Sequence, residues 1–73
     1  MSPNDMDAKV AEAMDIIWAE GRVSTAMIQR RMRIGFIQAA NLMDELERRG
    51  YVSAARGLEP RKILVGRNGE ALA

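Results

Sequence analysis

A chain of 73 residues can hold one small domain, and its 48% apolar content, with two prolines and six glycines, suits a folded domain rather than a disordered or fibrous one. With neither cysteine nor histidine, no disulfide framework or zinc cluster can supplement the core, and neither residue is there to serve as a catalytic base or nucleophile. The net charge of +1 excludes little as a total, but residues 1–20 carry Asp5, Asp7, Glu12, Asp15 and Glu20 against Lys9 alone, whereas residues 21–43 carry Arg22, Arg30, Arg31 and Arg33 and no acid. Two unlike faces are implied, the basic one suited to phosphate.

At the amino terminus, Ser2, Pro3 and Asp5 have the spacing of a capping box, and Asn4 or Asp5 would cap equally well. A first helix is predicted over residues 5–20. Met6, Val10, Met14, Ile17 and Trp18 fall on one side, and most of the acids on the other. Trp18 and the methionines at helical spacing are read as core, so no cofactor follows from them. Gly21 and Arg22 break the helix.

From Ser24 to Gly50 the chain reads as a short helix over 25–32, a tight turn at Arg33, Ile34 and Gly35, and a longer helix over 36–49. That is a helix-turn-helix, used to lay a second helix into a DNA groove. Ser24 is the expected cap of the short helix. Phe36, Ala39, Ala40, Met43 and Leu46 form the core stripe of the longer one, which Gly50 ends. Ile37, Gln38 and Asn41 remain outward on its first half. Each amide offers a donor and acceptor pair matched to an adenine edge, and Ile37 suits a thymine methyl.

Residues 51–53 and 62–65 are rich in β-branched and aromatic residues and predict a hairpin across a loop containing Gly57 and Pro60. The expected class is therefore α+β: a winged helix-turn-helix, three helices followed by a two-stranded β-hairpin wing. It is read as a single domain over residues 1–73, with a core at about 5–65 and a flexible tail at 66–73. Arg30 and Arg33 are candidate phosphate anchors at the turn, and Arg56, Arg61 and Lys62 are the candidates on the hairpin.

The run Gln29-Arg30-Arg31-Met32-Arg33-Ile34-Gly35-Phe36, together with Ala39-Ala40, residues 42–47, Gly50 and residues 60–65, resembles the C-terminal gamma domain of bacterial DNA translocases of the FtsK and SpoIIIE family. The resemblance implies a winged helix that reads short, directionally placed double-stranded DNA sequences and so orients an ATP-driven motor in chromosome segregation. It also implies a site-specific recombinase as a protein partner, and a bacterial cytoplasmic domain of a larger membrane-anchored translocase. No P-loop is present for the motor itself.

This sequence departs from the family pattern at the outward positions, where arginines give way to Gln38 and Asn41 beside Ile37. A different DNA preference, binding through the backbone, and use of the face for protein all fit that departure. Neither an enzyme nor a cofactor is expected, and no apolar run approaches the roughly 18 residues of a membrane span. The alternative function is a small protein-interaction module or transcription regulator that has lost guanine-rich reading.

Overall fold

The computed structural model describes residues 5–72. Of the capping box expected at Ser2, Pro3 and Asp5, Ser2 and Pro3 lie outside the described residues. Three helices pack together: α1 (Asp5–Glu20), α2 (Thr25–Met32) and α3 (Phe36–Arg48). The core is drawn from all three. Val10, Ala13, Met14 and Ile17 of α1, Met27 and Ile28 of α2, and Ala39, Leu42, Met43 and Leu46 of α3 are buried together, with Val23 and Val52 closing the ends.

Local chemistry sets the helix ends. Ser24 caps α2 by accepting the Met27 backbone N–H at 3.3 Å, satisfying a donor that the first turn would otherwise leave unpaired. All three helices are followed by a residue in the left-handed region: Gly21 at φ +73, Arg33 at φ 57 and Gly50 at φ +79. Beyond α2 and α3 the chain doubles back far enough for Ile34 N–H to reach Gln29 O at 3.2 Å and Tyr51 N–H to reach Leu46 O at 2.9 Å. Each of these six-to-one bonds satisfies one carbonyl in the last turn of its helix.

The apolar stripe of α3 is rotated from its expected position. At about 100° per residue, Ala39, Leu42, Met43 and Leu46 share one arc, and Phe36 falls past its edge. Phe36 is accordingly 62% exposed, Ala40 is half-buried, and Leu42 is in the core. Met6, expected on the inner side of α1, is also exposed.

The expected β-hairpin wing does not form, and the fold is a three-helix bundle, not α+β. Among the described residues there is no strand, only the isolated antiparallel bridges Val52 with Ile63, Arg56 with Glu59, and Val65 with Ala71. The first bridge is made by Ser53 N–H to Lys62 O at 3.0 Å and Leu64 N–H to Tyr51 O at 2.9 Å. A ladder would need the return bond at each side, and both are diverted. Lys62 N–H donates to Ser53 Oγ at 2.7 Å while Ser53 O accepts from Arg61. Tyr51 N–H belongs to the end of α3, and Leu64 O accepts from Leu72 N–H at 2.9 Å.

Residues 66–72 turn back onto α1. Trp18 Nε1–H donates to Val65 O at 2.8 Å, the Arg67 guanidinium stands 5.2 Å from the centre of the Trp18 ring, and Arg67 Nη1 reaches Asp15 Oδ1 at 3.2 Å. Trp18 is thus only partly buried, packed against the core with its polar edge satisfied.

Candidate nucleic-acid interface

The turn between α2 and α3 exposes both cations expected to anchor phosphate. Arg30 is exposed in the last turn of α2, and Arg33 is exposed as its left-handed cap. Among the described residues no carboxylate is within ion-pairing distance of either. Arg31, between them, turns away and pairs with Glu20 of α1. The sequence places three arginines on this rim, and the structure leaves two unpaired.

Along α3, Ile37 and Asn41 are one turn apart on the side opposite the buried arc, with Asp44 and Arg48 continuing the outward row. Ile37 is 70% exposed, and Asn41 is exposed beside it. Asp44 puts a negative charge on the second half of the row, so a polyanion is accommodated best at the first half. Gln38 lies toward α1, and its Oε1 accepts the Gly35 backbone N–H at 3.4 Å. This is half of a capping box, the half that a glycine cap can take part in. The spacing of Gly35 and Gln38 carried that signal in the sequence. A largely apolar groove of about 350 Å³ runs below Gln38 and Asn41, lined also by Asp5, Met6, Lys9, Ile34 and Leu42.

In the loop between the paired segments, Arg56 and Lys62 are exposed and share a notch of about 220 Å³ with Glu59 and Pro60. Arg61 is engaged within the protein. Its Nη1 donates to Glu47 Oε1 on α3 and to Ser53 O, each at 3.0 Å, and its side chain is 16% exposed. The structure therefore gathers Arg30, Arg33, Ile37, Gln38 and Asn41 along one turn and half a helix. It sets Arg56 and Lys62 on a separate loop and makes Arg61 the link between that loop and α3.

The two arginines at the end of α3 are paired within the protein. Arg49 Nε donates to Glu45 Oε2 and Arg49 Nη2 to Asp7 Oδ1, both at 2.6 Å, tying the end of α3 to the start of α1. Arg48 also pairs with Glu45. Hydrogen bonds from Arg48 and Arg49 hold the Glu45 carboxyl well below its ordinary range, at about 2, and the same bonds raise both guanidinium values. The i,i+3 and i,i+4 spacings of these residues made the pairs visible in sequence, whereas Glu20 with Arg31 and Glu47 with Arg61 depend on the tertiary fold.

A family model described as the Ftsk gamma domain matches residues 4–66. The chain is 46% identical over 67 residues to the DNA translocase FtsK of Clostridium acetobutylicum, covering 92% of this chain and 9% of that protein. It is 42% identical over 64 residues to the DNA translocase FtsK of Lactococcus lactis subsp. cremoris, covering 88% and 8%, and 38% identical over 64 residues to that of Clostridium tetani, covering 88% and 9%. The chain thus spans under a tenth of the length of these curated relatives. No solved structure matches it.

Proposed function

The chain belongs to the FtsK gamma domain family, and from that premise we propose that it binds double-stranded DNA and orients a DNA translocation motor by reading a short sequence. The observation that carries this reading is the pairing pattern of the arginines. Arg31, Arg48, Arg49, Arg61 and Arg67 all meet carboxylates, whereas Arg22, Arg30, Arg33 and Arg56 are exposed and meet none among the described residues, and of these four Arg30 and Arg33 stand at the turn that leads into the first half of α3. In this arrangement Arg30 and Arg33 anchor phosphates, and Asn41 and Gln38 meet adenine edges. Ile37 packs on a thymine methyl, and Arg56 and Lys62 hold the backbone to one side. The domain is a DNA-binding and regulatory module rather than a catalytic one. No described helix is long and apolar enough to cross a membrane, and we place the domain on the cytoplasmic side of a membrane-anchored translocase.

Titration of the protein against unrelated duplexes at fixed salt, before and after Arg30→Ala with Arg33→Ala, tests the anchors. Phosphate contacts carry little sequence information, so affinity should fall about equally on every duplex. A loss confined to one sequence would assign these arginines to base edges, and no loss anywhere would remove them from the interface.

A second reading is favoured by one observation, the adjacent exposure of Phe36 and Ile37. There the same edge meets an apolar surface on a protein, for which a site-specific recombinase is the partner that the family resemblance implies. Binding to DNA would weaken steeply with salt, whereas capture of such a partner would change much less.

A further inference from the structure

The loop that bridges the two paired segments ends in a tight turn over Arg56, Gly57, Leu58 and Glu59. Glu59 N–H donates to Arg56 O at 3.0 Å, Gly57 takes φ +55, and Leu58 keeps a negative φ. Positive φ at the first central residue alone is the pattern of a type II′ turn, a short and well-determined geometry. At its apex Leu58 is 104% exposed, so its whole side chain stands in water.

A single exposed leucine is ordinary. This one is distinguished by its company and by its mooring. Arg56 in the same turn, Pro60 and Lys62 are all exposed. Glu59 lines a notch with the two cations Arg56 and Lys62, and Leu58 is not part of that notch. Arg61 fixes the base of the loop to Glu47 of α3, so the apex keeps its place relative to the helix that faces the duplex. An apolar side chain at a cationic tip is the chemistry of residues that enter the minor groove and push between neighbouring base pairs. The cations follow the phosphates, and the apolar group replaces part of the lost stacking.

We propose that Leu58 is an apolar wedge that enters the duplex beside the site met by α3, partly unstacking one base step and bending the DNA. The proposal rests on the duplex-binding reading. It adds a preference that no base contact supplies, because TA and CA steps open more easily than others and so favour the wedge.

The test uses duplexes carrying 2-aminopurine at successive positions around a site selected from random DNA, with binding followed separately by anisotropy. With wild-type protein at saturation, emission should rise at one position and most strongly in a TA or CA step. Leu58→Ser should bind, by anisotropy, with emission returned to the free-duplex level, and Leu58→Met should keep the rise. Circular dichroism checks that both variants fold. Wild-type binding with no emission change at any position, the result expected if the tip serves a protein contact, would overturn the wedge and leave duplex binding standing. So would a rise that survives Leu58→Ser. Absence of binding to every duplex at low salt would overturn both.

Discussion

Arg33 occupies a position that the chain fills with glycine after its other two helices. An L residue with a Cβ is strained at φ 57, by roughly 1–2 kcal/mol, whereas glycine is not. Arg33→Gly should therefore raise the melting temperature while weakening affinity for all duplexes, and a melt paired with a binding titration reads both. Opposite signs in the two assays mark a residue whose side chain serves binding at the expense of stability. Gln38 and Asn41 separate in a similar way. Asn41→Ala should leave stability unchanged and cost about 1–3 kcal/mol of discrimination at one adenine, while Gln38→Ala should also lower stability because the Gly35 N–H loses its acceptor. Selection from random duplexes with Asn41→Arg should shift the preferred base there to guanine. The outward trio was legible from helical period alone. The cap made by Gln38 had a sequence signal, but the partners of Arg31 and Arg61 had none, because Glu20 and Glu47 reach them only through the tertiary fold.

The helices were nearly fully legible as elements, since the signals that bound them are local. Ser24, the Arg33-Ile34-Gly35 turn and Gly50 fix ends that agree with expectation to within a residue. Ser24→Ala should cost about 1 kcal/mol in thermal or denaturant unfolding. The rotation of α3 was less legible because Phe36 and Leu42 are both apolar, and only contact with α1 and α2 decides which is covered. Ala39 is fully buried, so bulk and charge are poorly tolerated there. Ala39→Arg should abolish cooperative unfolding, while Phe36→Ser should leave it intact. The paired segments failed as strands for a reason that β-propensity does not measure. Ser53 supplies a hydroxyl where the ladder needs a carbonyl, and the bonds of Tyr51 and Leu64 are taken by α3 and by Leu72. Propensity describes side chains on a pleated surface, whereas competition for N–H groups depends on where the chain goes next.

Across the whole molecule, carboxylates on α1 hold arginines from α2, from the cap of α3 and from the last residues, so the acidic helix is an internal counter-charge that leaves the α2–α3 edge cationic. Glu45, bonded by Arg48 and Arg49, titrates near 2 when folded and near the ordinary glutamate value of about 4.3 when unfolded. A depressed folded value means that its contribution is complete above the unfolded value and is lost as pH falls through the folded one. Melting temperature should accordingly drop between about pH 4 and pH 2, and Glu45→Gln should flatten that segment of the profile. The last consequence is optical. The chain's one indole has its N–H on Val65 O and Arg67 over its ring, so intrinsic fluorescence registers detachment of residues 65–67 from α1 before it registers anything at α3. A spectral shift on adding DNA would report strain carried across the bundle, and a constant spectrum with rising anisotropy would describe a duplex received by a rigid edge.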